Sequence, residues 1–138
     1  MPTNVKVEWS GELKFTATNA TGVSAVIDAT DAGGHPAGIT PMEFLLMALG
    51  GCTGIDVVTI LKKQRQNLTK LTVNVTGNRR SEPPKYYEQI NVEYVLKGTN
   101  LDEKKVQRAI QLSEEKYCSV SAGLKDKARI TSSHRIEQ

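Results

Sequence analysis

Two side chains in this sequence can act as soft nucleophiles, Cys52 and Cys118. A thiolate attacks peroxides and disulfides, whereas a thiol without activating neighbours is only a small apolar residue. Cys52 lies in TPMEFLLMALGGCTGIDVVTILKK, residues 40–63, directly after Gly50 and Gly51. On composition alone an inert core role ranks first for it. Against that role, two glycines cost roughly 1 kcal/mol each in a helix interior relative to alanine, which suggests that room is needed beside the sulfur; with Gly54 they also let another backbone approach closely. Cys118 stands just before Ser119 and Ser121, where the free N–H groups of a new helix would stabilise a thiolate and lower its pKa.

Few groups are spaced to assist either thiol. Asp56 follows Cys52 by one helical turn and would disfavour its thiolate if close. Glu43 is the acid first considered as a partner, but in a straight helix it lies about 13 Å from Cys52 along the axis. Its spacing from Thr40 fits a T-x-x-E capping box instead, leaving a catalytic role only through another chain or a bridging residue. His35 and His134 could join the cysteines in a zinc site, yet no two of the four have local chelate spacing. Neither a metal nor a cofactor is expected.

The elements that must position these residues follow from periodicity. Val5, Val7 and Trp9, then Leu13, Phe15 and Ala17, then Val23, Ala25 and Ile27 alternate with polar residues and predict three strands. Residues 28–39, rich in Gly, Asp and Pro, read as a loop into the long helix. Thr40 as N-cap, Pro41 as first helical residue and Glu43 mark where that helix begins. It is apolar on nearly every face, so it is expected to be buried on all sides. Asp56 near its middle argues against a membrane span.

Leu71, Val73 and Val75, and then Ile90, Val92, Tyr94 and Leu96, predict two further strands. A second helix, from about Leu101 to Lys116, is expected to open at Asn100 and to turn Val106, Ala109, Ile110, Ser113 and Tyr117 inward. Ser119–Lys125 could begin a short helix before a last strand around Ala128–Ile136. Strands and helices do not alternate regularly, so the fold class is α+β with antiparallel sheet.

At 138 residues one domain, 1–138, is expected. A net charge of +3 spread along the chain, with two Phe, four Tyr and one Trp, gives neither the basic stripe nor the aromatic platform of a nucleic-acid binder. The first ten residues, MPTNVKVEWS, lack a basic region followed by an apolar run. A cytoplasmic location is therefore expected, and in such a reducing compartment two cysteines argue against a structural disulfide framework.

Residues 38–56, GITPMEFLLMALGGCTGID, together with the later YCSVS around Cys118, resemble the osmotically inducible protein C family, which includes organic hydroperoxide resistance proteins. The resemblance covers nearly the whole chain. It implies an intertwined homodimer in which antiparallel sheets wrap around long central helices, with active sites at the subunit interface. It also implies a thiol peroxidase, in which Cys52 is peroxidatic, Cys118 is resolving, a small-molecule hydroperoxide is the substrate and a dithiol restores both thiols. In hydroperoxide-reducing members an arginine from the N-terminal strands and a glutamate directly after the helix-opening proline assist the first cysteine. Here the first arginine is Arg65, and Met42 follows Pro41 with Glu43 one place later. These departures motivate an alternative: a non-enzymatic dimeric protein that binds a small ligand or senses redox state.

Overall fold

The computed structural model describes residues 2–137, which form two compact units, one ending at Leu45 and the other starting at Leu46. In the first unit, β1 (Val5–Trp9), β2 (Lys14–Asn19) and β3 (Ser24–Asp28) form an antiparallel meander, as the alternation predicts. Asn19 builds the second turn, because its Oδ1 accepts from the backbone N–H of Thr21 and of Val23 and from the Thr21 hydroxyl. Within the expected loop the chain makes a minimal hairpin, β4 (Asp31–Ala32) with β5 (His35–Pro36). Val5, Val7, Trp9, Leu13, Val23 and Val26 of this unit are all exposed.

The long helix α1 (Pro41–Lys63) begins as its cap signals require. The Thr40 N–H donates to Glu43 Oε1 at 2.8 Å, and the Glu43 N–H returns a bond to Thr40 Oγ1 at 3.3 Å. Two otherwise orphaned donors of the first turn are thereby satisfied.

In the second unit, β6 (Asn67–Arg79) and β7 (Tyr87–Thr99) pair antiparallel, with Val75 opposite Val92. β7 is the central strand and buries Ile90, Val92, Tyr94 and Leu96 on one face. The chain then forms α2 (Glu103–Leu112), a single π-type turn (Ser113–Tyr117), α3 (Ser119–Leu124) and β8 (Arg129–Glu137). β8 pairs with β7 in parallel, with Tyr94 opposite His134. The α+β class holds, but this sheet is mixed because the helical crossover returns β8 in the same direction as β7.

Three expectations change. First, α2 is capped by Asp102, whose Oδ1 accepts from the N–H groups of Lys104 and Lys105, while Asn100 takes a left-handed turn conformation at φ 53°. Second, the second helix does not continue regularly to Lys116: Cys118 N–H bonds to Ser113 O at 2.8 Å, an i→i+5 closure that inserts one residue into the turn. Tyr117 is consequently rotated outward and is 51 % exposed, while Cys118 takes the inward position and is 4 % exposed.

Third, α1 is not buried on all sides. Leu49, Thr53, Val57 and Leu61 form its buried stripe, whereas Met47, Gly51, Ile55 and Val58 lie on the outer side and are exposed. Of the two uses expected for the glycines, room beside the sulfur and close approach of another element, the second holds for Gly50 and Gly54. A Cβ on Gly50 would come 3.0 Å from Val75 Cγ2 and one on Gly54 3.5 Å from Val73 Cγ2, so these two positions let β6 approach the helix; Gly51 faces open space. The room is taken by valines rather than by the sulfur.

Gly54→Ala should therefore leave urea stability unchanged or raise it by up to about 1 kcal/mol through helix propensity. Gly50→Ala should forfeit that gain, lowering stability by about 1 kcal/mol or more as Val75 is displaced. Equal effects of the two substitutions would contradict the packing described.

Candidate active site

Two short ladders of side chains face each other in the second unit. α1 offers Cys52 and Asp56, one turn apart and on the same side. Opposite them the π-type turn offers Ser113 and Cys118, brought to one side by the i→i+5 closure. The rungs are distinct: Ser113 Oγ donates to Asp56 Oδ2 at 2.8 Å, and the Cys118 sulfur stands opposite that of Cys52. A carboxylate oxygen of Asp56 and the two sulfurs all lie within 4.8 Å of one another.

Neighbouring bonds hold this turn in place. Tyr94 Oη donates to Glu114 Oε1 at 3.2 Å and Ser132 Oγ to Glu114 Oε2 at 3.1 Å, which ties the turn to β7 and β8 together. Burial pushes the Tyr94 hydroxyl well above its usual pKa, so it stays a proton donor. Beside Cys52, the Thr53 hydroxyl donates to Leu49 O within α1. Asp56 also lines a cleft of about 480 Å³ shared with Thr59, Ile60, Lys63, Gln64, Leu112 and Tyr117.

Cys118 is the N-cap of α3, with its sulfur accepting from the Ser121 N–H at 3.3 Å, as the junction suggested. Its acidity nevertheless moves the other way. Desolvation and the neighbouring Cys52 outweigh the helix terminus and push the Cys118 thiol up to about 11. The expected lowering is thus corrected: α3 has six residues, and its amide bonds act on a thiol that burial has already disfavoured as an anion.

The structure brings together the two cysteines singled out from sequence and adds Asp56 and Ser113 to them. Asp56 was legible as C-x-x-x-D on a helix, but only as an unfavourable charge. Ser113 was hidden by the irregular turn. Glu43 has its carboxylate engaged by Thr40 in the helix cap. His134 pairs with Glu103 at 2.5 Å, and His35 lies in β5. Neither histidine belongs to the cysteine–aspartate group.

Comparison with known proteins identifies the family and the fold. Residues 33–133 match the model of the OsmC-like protein family. Protein YhfA of Escherichia coli strain K12 is 39 % identical over 131 residues, covering 95 % of this chain and 96 % of that protein. The crystal structure of a hypothetical protein from Aquifex aeolicus VF5 superposes with a TM-score of 0.84 at 35 % identity, covering 100 % of this chain and 99 % of the other. The organic hydroperoxide resistance protein OhrB of Bacillus subtilis shares the fold at a TM-score of 0.63 and 18 % identity, with 98 % of each chain covered.

The raised Cys118 pKa makes stability depend on pH in a defined direction. Between its ordinary value near 9 and its folded value of about 11, the folded chain holds a proton that the unfolded chain has released. Stability from this group is therefore full below about pH 9 and is lost as pH rises toward 11. Urea unfolding of the reduced protein should weaken more steeply across that interval than unfolding of Cys118→Ser. Identical slopes would show that the thiol is not perturbed.

Proposed function

We propose, from the premise that the chain belongs to the OsmC-like protein family, that it is a thiol-dependent reductase of organic hydroperoxides, with Cys52 as peroxidatic and Cys118 as resolving cysteine. The observation that carries this reading is the juxtaposition of the two sulfurs across α1 and the π-type turn. Support also comes from the shared fold with a protein named for organic hydroperoxide resistance.

Cys52 is the more accessible of the two thiols and is the one to meet substrate. Its thiolate attacks the distal peroxide oxygen, the O–O bond breaks, and an alcohol leaves with a proton, giving a sulfenic acid. Cys118 then attacks the Cys52 sulfur, a disulfide forms and water departs. An external dithiol reduces this bond and is itself oxidised, restoring both thiols. Burial keeps Cys118 protonated until this second step, and the Asp56 carboxylate, within 4.8 Å, is an acceptor for its proton. Asp56 thereby supplies a proton-accepting group where the glutamate after Pro41 is lacking.

The working form in this reading is a homodimer. The outer side of α1 carries Met47, Ile55 and Val58, and an apolar groove of about 570 Å³ lined by Ile55, Val58, Leu68, Leu71 and Val73 runs beside it. A second copy of the chain would cover this side and return the helix to the full burial that its sequence demands. Ile55, 69 % exposed, is the most open of these residues. Ile55→Glu should shift the protein from dimer to monomer in sedimentation velocity; a wild type that already sediments as a monomer would refute the dimer.

Reduced protein mixed with tert-butyl hydroperoxide and excess dithiothreitol should consume peroxide above the dithiol background, and Cys52→Ser should fall to that background. Cys118→Ser should accumulate a dimedone-reactive sulfenic acid on Cys52. No turnover by wild type would overturn the peroxidase reading. A slow Cys52 with an apolar ligand bound to the dimer would favour a binding role.

A further inference from the structure

The group formed by Cys52, Asp56 and Cys118, given redox and proton-accepting roles in the peroxidase reading, is also a donor set for a metal ion. Cys52 and Asp56 stand at i and i+4 on one helix, the spacing at which two side chains of a helix can share an ion. Cys118 closes the third side from the opposite wall, and all three ligand atoms already lie within 4.8 Å of one another. Around a tetrahedral zinc ion, with Zn–S near 2.3 Å and Zn–O near 2.0 Å, ligand atoms sit roughly 3.5–3.8 Å apart. Small side-chain rotations would close the remaining gap.

A further feature is compatible with a metal centre. Ser113 Oγ donates to Asp56 Oδ2 at 2.8 Å, which fixes the carboxylate and leaves its other oxygen available. Outer hydrogen bonds of this kind orient ligating carboxylates.

We propose that Cys52, Asp56 and Cys118 form a binding site for a thiophilic divalent cation of the zinc class, with one coordination position left open. Binding would release the two thiol protons to solvent and change no oxidation state. Two sulfurs and one carboxylate select against magnesium and calcium, which take all-oxygen sites. Three protein ligands with an open fourth position make a site able to accept water or a small anion. The inference goes beyond the proposed function and does not require turnover.

The test uses the reduced, metal-stripped full chain titrated with Co²⁺. Wild type should develop a thiolate-to-cobalt charge-transfer band and the visible bands of four-coordinate cobalt, saturating at one ion per chain and displaced by Zn²⁺. Cys52→Ser and Cys118→Ser should each lose the charge-transfer saturation at one equivalent. Asp56→Asn, which keeps an oxygen for Ser113, should weaken binding at least about tenfold, and Asp56→Glu should restore part of it. Circular dichroism of each variant verifies folding. Absence of a saturable band in wild type, a band unchanged in Cys118→Ser, or wild-type affinity in Asp56→Asn would overturn the site. Peroxide consumption measured with chelator on the same preparation keeps the two readings apart: turnover without cobalt binding overturns only the site, and cobalt binding without turnover supports it.

Discussion

A shift of one residue in a helical turn governs the chemistry available to this protein. Had the segment after Leu112 continued as an α-helix, the inward position would have fallen to Tyr117. The i→i+5 closure from Ser113 to Cys118 turns the tyrosine outward and brings a sulfur in. Such irregular turns give up regular hydrogen bonding and persist where something else holds them. Here the anchors are Tyr94 and Ser132, which both donate to Glu114. The central strand and its parallel neighbour thus determine which side chain faces Cys52.

That arrangement sets electrostatic demands of opposite sign. Burial favours the neutral Cys118 thiol, and the neighbouring Cys52 adds to the cost of ionising it. Asp56 adds a carboxylate to the same small volume, tethered by the Ser113 hydroxyl. The pair is consequently asymmetric: Cys118 is buried and held protonated, while Cys52 is partly open.

Much of the scaffold was legible from local sequence. Thr40, Pro41 and Glu43 announced the start of α1 because a capping box is completed within four residues. The alternation in β1, β2, β3, β6 and β7 was equally local. The approach of two cysteines distant in sequence was not visible in spacing, and only the resemblance to a known family suggested it. The irregular turn escaped because its stabilising partners, Tyr94 and Ser132, lie on other strands. The parallel entry of β8 escaped for a similar reason, since strand polarity depends on the crossover and not on the strand's own residues. The apolar helix was expected to be buried on all sides, and the structure buries it along one stripe only.

The sequence distance between the two sulfurs has a mechanical side. A covalent link from Cys52 to Cys118 would close a loop containing β6, β7 and α2, so in the chain-entropy account it would restrict the unfolded state by about 4 kcal/mol. That is a large share of the stability of a domain this size. Oxidation would then act as a clasp and reduction as its release, coupling the resistance of the chain to unfolding and proteolysis to the electron supply around it.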